Sequence, residues 1–134
     1  MILVELPGPP KGKGRPRFSR KSGTAYTPTT TRRYEAALRA AGQEAMGDSP
    51  PLEGPLRVIV EALMPIPVSW PKKRRSAALA GETYPTTTPD WENIAKCCDG
   101  LNSVCWVDDR QIVDGRVIKR YSAEPCLKVY VESV

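Results

Sequence analysis

The most restrictive feature of this sequence is the segment from Leu56 to Met64, where apolar side chains occupy every second position. The apolar set consists of Leu56, Val58, Val60, Ala62 and Met64, and the alternate positions include Arg57 and Glu61. This period of two predicts a β-strand with one face against a core. A strand of this kind needs paired neighbours and a covering layer, so the chain must build a sheet packed against other elements.

Weaker patterns on both sides of this strand predict the remaining elements. A short strand is expected at Ile2 to Leu6, a helix from Thr30 or Thr31 to Met46, and a short basic helix from Pro71 to Leu79. A further helix is expected from Trp91 to about Asn102, followed by strands at Gln111 to Tyr121 and from Leu127 onwards. We therefore predict an α+β fold in the order β-α-β-α-β-β, with the short basic helix as an additional element before the second long helix. In this prediction the helices are packed on a mixed sheet of about four strands that ends in a C-terminal hairpin. We expect residues 1–134 to form a single small domain.

The helix predicted from Trp91 has a clear apolar periodicity. Its apolar positions are Trp91, Ile94, Ala95, Cys98 and Leu101, and its opposite face carries Glu92, Lys96 and Asp99. Spacings of three and four residues predict that the apolar set is buried as one face.

Composition excludes several classes of enzyme. The chain has no histidine, so Ser-His-Asp and Cys-His catalysis are excluded. Its four cysteines lack the CxxC spacing of zinc and redox sites and are expected to be ordinary buried thiols. No apolar run approaches the ~20 residues of a membrane span, and Met1 to Val4 is too short for the core of a signal peptide. We expect a soluble cytoplasmic protein with no membrane association.

The charge of the chain is segregated along the sequence. The net charge is +5, and Pro10 to Arg33, the basic segment, contains eight basic residues and no acid. A second basic cluster is Lys72-Lys73-Arg74-Arg75. Asp90 to Asp114, the acidic segment, has six acids against two bases. This segregation suits a phosphate-binding surface around a cation-binding site.

The carboxylates of the acidic segment suggest a metal site. Asp90 and Glu92 share a face if the backbone is still extended there, and Asp109 can join them if the following strand lies beside the helix start. Three carboxylates brought together repel one another unless a divalent cation neutralises them, and Mg²⁺ is the natural choice. Structural explanations stay open: Asp90 as an N-cap, Glu92–Lys96 as an i,i+4 ion pair, and Asp108–Asp109 as a turn.

Two long runs resemble the RusA family of Holliday-junction resolvases. They are PDWENIAKCCDGLN, which begins at Pro89, and WVDDRQIVDGRVIK, which begins at Trp106. The family pattern has two aspartates separated by one residue, an Asn, a Lys on the helix, and a downstream Asp-Asp-x-Gln before a strand. The N-terminal GRPRFSR and AYTP are also similar to family members, so the resemblance covers most of the chain.

The resemblance implies a role for each matching residue. Asp90 and Asp109 match metal-binding aspartates, Lys96 matches the catalytic lysine, and Asp108 is a supporting residue. Glu92 takes the place of the family's second aspartate as a catalytic and metal-binding residue. Its carboxylate stands one methylene further out, a displacement of roughly 1 Å that matters for catalysis.

The implied function is a Mg²⁺-dependent structure-specific endodeoxyribonuclease in DNA recombination and repair. The resemblance further implies that the protein resolves four-way junctions by paired symmetric nicks, acts as a homodimer, accepts Mn²⁺ in place of Mg²⁺ and needs no organic cofactor. Candidate DNA contacts are Arg15, Arg17, Arg20, Lys21, Lys72, Lys73, Arg74 and Arg75.

Other interpretations remain open. The Glu92 departure allows a branched-DNA-binding protein with weakened or lost catalysis, and the acidic cluster is also compatible with an interaction surface of a small basic protein. The basic candidates can equally be a solvated loop and helix face. Phe18 and Trp70 either insert at the junction centre or pack in the core, and packing is favoured.

Overall fold

Apart from two short strands in the basic segment, strands and helices follow one another along the chain in the predicted order. A computed structural model describes all residues from Met1 to Val134. The strands are β1 (Ile2–Pro7), β2 (Arg17–Phe18), β3 (Ala25–Tyr26), β4 (Leu56–Met64), β5 (Ile112–Tyr121) and β6 (Cys126–Ser133). The helices are α1 (Thr29–Met46), α2 (Lys72–Leu79) and α3 (Trp91–Cys97), with 3-10 turns at Cys98–Leu101 and Asp109–Gln111. The predicted α+β class is confirmed.

The main sheet has the strand order β1-β6-β4-β5, with β4 parallel to β5 and antiparallel to β6. The predicted alternation of β4 is present, because every apolar position from Leu56 to Met64 is buried and every intervening one is only half-buried. The buried face of β4 joins Val4 of β1 and the inward residues of β6, which are Leu127, Val129 and Val131. A mixed four-stranded sheet is therefore confirmed.

The prediction of a C-terminal hairpin is wrong. β5 and β6 follow one another in sequence, yet they do not pair, because β4 lies between them. Tyr121 ends β5 beside Met64, and Cys126 starts β6 beside Leu63. The four-residue connection crosses the end of β4, a distance of about two strand spacings, and the Ser122 N–H donates to the Met64 carbonyl at 2.9 Å. A short turn between two strands resembles a hairpin in sequence even when a third strand separates them.

Helices α1 and α3 cover the buried face of the sheet. α1 buries Thr31, Tyr34, Leu38, Gly42 and Met46. The layer packs tightly after α3: a Cβ on Gly100 would lie 2.8 Å from the carbonyl oxygen of Glu35. Glycine at this position lets the 3-10 turn after α3 contact the backbone of α1.

The opposite face of the sheet, which we call the open face, carries charged side chains in cross-strand pairs. Arg57 bonds to Asp114 at 2.7 Å and to Glu132 at 2.9 Å. Tyr130 of β6 and Arg116 of β5 lie on either side of Ile59 of β4 on this face. Such polar side chains are typical of a sheet with one solvated side.

The basic segment contains one regular feature. β2 and β3 pair antiparallel, with Arg17 opposite Tyr26 and Phe18 opposite Ala25. Earlier in the segment, a Cβ on Gly12 would lie 2.9 Å from the Cβ atoms of both Asn93 and Pro89. The segment therefore lies directly against the start of α3. None of the helices is long and apolar enough to cross a bilayer.

Candidate active site

A cleft between α3 and the start of β5 contains most of the charged residues singled out in the acidic segment. Its volume is 260 Å³, and it is lined by Glu92, Ala95, Lys96, Cys98, Asp99, Asp109 and Ile112. The parallel pairing of β4 with β5 begins at Leu56 and Ile112, so the chain enters the sheet next to α3. This crossover geometry brings residues some 15 positions apart in sequence onto one surface.

The loop that presents Asp109 is held in place by Gln111. The Gln111 Oε1 accepts hydrogen bonds from the backbone N–H groups of Val107 and Asp108, at 2.8 and 2.9 Å. Its Nε2 donates to the carbonyls of Leu52 and Gly54, at 2.9 and 3.0 Å. One amide side chain therefore uses both its donors and its acceptor to fix this loop against the segment before β4.

Asp108 and Asp109 are adjacent but lie in different environments. Asp108 caps the 3-10 turn: its Oδ1 accepts from the Arg110 N–H at 2.9 Å and from the Arg110 Nε at 3.0 Å. Those bonds lower the pKa of Asp108. Partial burial and the negative charges of Asp99 and Asp108 raise the pKa of Asp109. Asp108 therefore has a structural role in the turn, whereas Asp109 is left without a cationic partner.

Helix α3 supplies the other predicted residues. Asp90 is its N-cap residue, is exposed, and makes no capping hydrogen bond with its side chain. Glu92 and Lys96 form an i,i+4 ion pair of 3.0 Å between Oε1 and Nζ, as the structural explanation of these residues predicted. Such exposed pairs stabilise a helix only slightly.

The structure thus brings Glu92, Lys96 and Asp109 into one cleft, while Asp90 is not among the residues that line it. No group of three or more carboxylate or thiol side chains lies close enough to hold a metal ion. The assignment of these residues to a metal site stays a prediction.

Asp99 is a cleft residue that the sequence reasoning did not nominate. The available signal was its position on the polar face of the predicted helix, together with Glu92 and Lys96. Its Oδ2 accepts from the Nζ of Lys13 at 3.0 Å, and the same Nζ lies 3.2 Å from the Oε1 of Glu35.

Lys13 connects the basic segment to this cleft. Partial burial opposes its charge, but the hydrogen bond to Asp99 and the ion pair with Glu35 outweigh that effect and raise the pKa of Lys13. Its backbone N–H also donates to the Asn93 carbonyl at 2.9 Å. A residue of the predicted DNA-binding segment is therefore fixed to the wall of the acidic cleft by both backbone and side chain.

The chemistry of the cleft suits a hard divalent cation. Its ionisable donors are the carboxylates Glu92, Asp99 and Asp109 and the thiol of Cys98. Burial raises the pKa of the Cys98 thiol to about 12, so sulfur is protonated at neutral pH and does not compete as a ligand. Partial burial and, after it, the nearby negative charges raise the pKa of Asp109, and a cation there would offset both effects. Oxygen donors alone favour cations such as magnesium, calcium or manganese.

The candidate DNA contacts differ in whether their side chains already make contacts within the chain. Four of them are exposed residues of the basic segment whose side chains make no hydrogen bond or ion pair within the chain, namely Arg15, Arg17, Arg20 and Lys21. Lys72 and Lys73 of α2 are also exposed. Arg74 lies 3.6 Å above the ring of Trp70, and Arg75 donates to the Pro67 carbonyl at 3.0 Å.

The two aromatic residues discussed from the sequence behave differently. Trp70 packs edge-on against Tyr121, with ring centroids 5.2 Å apart, and its face is covered by Arg74. Packing was the favoured interpretation of Trp70. Phe18 is 66% exposed, so the expectation that it packs in the core is wrong. The two-residue strand β2 has no covering layer above it.

All four cysteines are free thiols, three of them buried. Burial raises the pKa of Cys97 to about 12 and that of Cys105 to about 11. These thiols are protonated and unreactive at neutral pH, as ordinary buried cysteines are.

Comparison with known proteins places this arrangement in a family. Residues 7–132 match the family model described as Endodeoxyribonuclease RusA. A Bacillus subtilis (strain 168) protein, described as the uncharacterised protein YqaN, is 33% identical over 138 residues, which cover 99% of this chain and 96% of that protein. The match extends from the end of β1 to β6 and includes the cleft and the basic segment. The chain belongs to the RusA family of endodeoxyribonucleases.

Proposed function

We propose that this protein is a metal-dependent, structure-specific endodeoxyribonuclease that resolves four-way DNA junctions during recombination and repair, in the cytoplasm. The observation that carries the proposal is the meeting of Glu92, Lys96 and Asp109 in one cleft, in a chain of an endodeoxyribonuclease family. The exposed arginines and lysines of the basic segment add a surface suited to the DNA backbone.

The carboxylates would hold Mg²⁺, with Mn²⁺ as a substitute. We assign Asp109 and Glu92 to it from the cleft, and Asp90 from its match to the family pattern. When bound, the ion supplies a Lewis acid that lowers the pKa of water and polarises the scissile phosphate. In the free protein Glu92 is paired with Lys96. Binding of a cation by Glu92 would release the Lys96 ammonium towards the phosphate.

Lys96 would then stabilise negative charge that develops on the phosphoryl oxygens or on the leaving 3′-oxygen. Its side chain is half-exposed, so a strand bound over the cleft can reach it. Asp108 would take no direct part, because its carboxylate is engaged by Arg110. Its contribution is to keep the turn in the conformation that presents Asp109.

We further propose that the active form is a homodimer. Paired nicks on a two-fold symmetric junction need two active sites related by the same symmetry, which a C2 dimer provides. Sedimentation of the protein alone and with a four-way junction tests this part independently of cleavage, since a monomeric complex would contradict it.

The decisive experiment is cleavage of an end-labelled four-way junction, compared with linear duplex of the same sequence, with and without Mg²⁺. The wild type should nick the junction symmetrically only with metal. Asp90→Asn should abolish nicking while it still binds the junction without metal, and Asp109→Asn should do the same. Asp48→Asn, a surface carboxylate outside the cleft, is the matched control. Full activity of Asp90→Asn would remove this residue from the site.

A second candidate is a branched-DNA-binding protein with little catalysis. Glu92 replaces the family's aspartate, and its carboxylate is already neutralised by Lys96 at 3.0 Å. Such a protein would bind four-way junctions selectively yet leave them intact with Mg²⁺ or Mn²⁺. Gain of nicking in Glu92→Asp would identify this position as the cause. Failure to bind either metal or junction selectively would favour an interaction surface instead.

A further inference from the structure

One aromatic side chain, next in sequence to the cleft residue Glu92, is not explained by packing. The periodicity of the α3 segment predicted that Trp91 is buried together with Ile94 and Leu101. Ile94 and Leu101 are completely buried, but Trp91 is 69% exposed. The helix begins at Trp91, so this residue lies at the end of the buried stripe and extends beyond the layer that covers it.

The other two tryptophans have partners. Trp106 is fully buried, and its Nε1 donates to the Oδ1 of Asn102 at 2.6 Å. Trp70 packs between Tyr121 and Arg74. Trp91 has no stacking or cation–π partner in the chain. Leaving so large an apolar surface in water forgoes the stabilisation that burial would give, which points to a partner outside the chain.

The position of Trp91 indicates what that partner is. It stands between Asp90 and Glu92, both exposed, with consecutive Cα atoms about 3.8 Å apart. Aspartate and glutamate are depleted from the centres of protein interfaces, so a second copy of the chain fits poorly here. A phosphate is also disfavoured directly beside two carboxylates unless a cation lies between them. A neutral planar group that accompanies a phosphate held at the cleft suits the indole, and a nucleobase is such a group.

We propose that Trp91 stacks on the nucleobase next to the scissile phosphate and thereby selects the nucleotide step presented for cleavage. This inference rests on the proposed function. Bases at a branch point are the natural targets, because unstacking requires least energy where pairing is already disturbed. Stacking is available to every base, so the preference it creates follows stacking strength and local flexibility and not a hydrogen-bond code.

The test measures junction binding without divalent metal, using four-way junctions that carry 2-aminopurine at single positions around the branch. Trp91→Leu removes the aromatic face but keeps an apolar side chain, and should weaken binding by about 5- to 150-fold, the range that one stacked base contributes. Trp91→Phe should fall between Leu and the wild type. Tyr130→Leu, on the open face of the sheet, is the matched control and should bind as the wild type does.

A second readout is fluorescence. The wild type should quench 2-aminopurine at one or two positions beside the nick site, and its own tryptophan emission should change on binding. Trp91→Phe should lose most of the tryptophan response, since Trp106 is fully buried and the ring of Trp70 is covered by Arg74. Thermal unfolding of each variant distinguishes a missing stacking interaction from a chain that no longer folds.

The outcomes distinguish this inference from the proposed function. If the wild type binds and nicks junctions but Trp91→Leu matches it in affinity and nick position, stacking is wrong and the nuclease assignment stands. If Trp91→Leu instead changes only the sedimentation of the free protein, Trp91 belongs to a contact between copies and stacking is again wrong. If the wild type itself binds no junction, the proposed function fails and this inference fails with it.

Discussion

The basic segment and the acidic segment carry opposite charge, and they also differ in how their charged side chains are held. Arg15, Arg17, Arg20 and Lys21 reach solvent with no partner in the chain. In the acidic segment, Glu92 is paired with Lys96 and Asp108 with Arg110. Unpartnered cations are suited to a polyanion that arrives from solution, whereas carboxylates in a fixed loop are suited to a small ion.

Lys13 departs from this division. It belongs to the basic segment by sequence, yet its ammonium is used by Asp99 and Glu35. Sequence alone gives Lys13 the same meaning as its neighbour Lys11, which is exposed and has no ion pair. The contrast teaches that charge segregation locates surfaces, while the contacts decide which members of each surface remain available to a ligand.

The largest expected effect comes from removing the unpartnered cations. In the variant Arg15→Gln, Arg17→Gln, Arg20→Gln, Lys21→Gln, affinity for a four-way junction should fall at physiological salt. The slope of log affinity against log salt should become shallower by about 3 to 4 units, close to 0.9 for each phosphate that is no longer neutralised. Fluorescence anisotropy from about 50 to 200 mM salt gives both quantities.

Arg116→Gln, on the open face of the sheet, is the control for the loss of one positive charge away from the basic segment. It should leave the slope of log affinity against log salt almost unchanged. An unaltered slope in the fourfold variant would mean that the basic segment is a solvated loop. Lys72 and Lys73 of α2 would then be the remaining candidates for phosphate contacts.

The sequence predicted those parts of the fold that depend on local pattern. The period of two in β4 requires only a core on one side, so its prediction from Leu56 to Met64 was correct at both ends. The partner of β5 is decided by long-range pairing with β4, which no local pattern records, and the hairpin prediction failed for that reason.

The candidate site was also predictable only where local pattern defines it. Asp109 and Lys96 could be identified as site residues from motif and charge. The contact of Asp99 with Lys13 joins residues 86 positions apart and depends on Gly12 approaching Asn93 closely. The exposure of Trp91 also escaped prediction, because helical periodicity specifies a face but not where the covering layer ends.

Substitution of the two adjacent aspartates, Asp108 and Asp109, should change the Tm in different directions, with effects of intermediate size. Asp108→Asn weakens the cap of the 3-10 turn and should lower the Tm at pH 7 by a few degrees. Its pKa is lowered in the fold, so its stabilisation is present above the usual pKa of aspartate and is lost as pH falls through the lowered value.

Asp109→Asn should behave in the opposite way. The folded pKa of Asp109 is raised, so the ionised carboxylate opposes folding, and the stability of the wild type decreases as pH rises from the usual to the raised value. The Asn variant should have a Tm at pH 7 equal to or above that of the wild type. Melts from pH 3 to pH 7 with Asp48→Asn as the control test both, and equal losses of stability in the two variants would contradict the contrast.

The smallest expected effect concerns the residue that joins the two segments. Lys13→Met removes both ion pairs but keeps the length of the side chain, and should reduce the free energy of unfolding by about 1 kcal/mol or less, as for other partly exposed pairs. Because the folded pKa of Lys13 is raised above 10.5, this contribution is fully present below that pH and is lost as pH rises through the folded value.

Lys11→Met is the matched control for Lys13→Met and should unfold as the wild type does. Denaturant melts of Lys13→Met, Asp99→Asn and the double variant should show non-additivity. Additive effects would mean that the Lys13 side chain stabilises the fold through its ion pair with Glu35 and not through the carboxylate of Asp99.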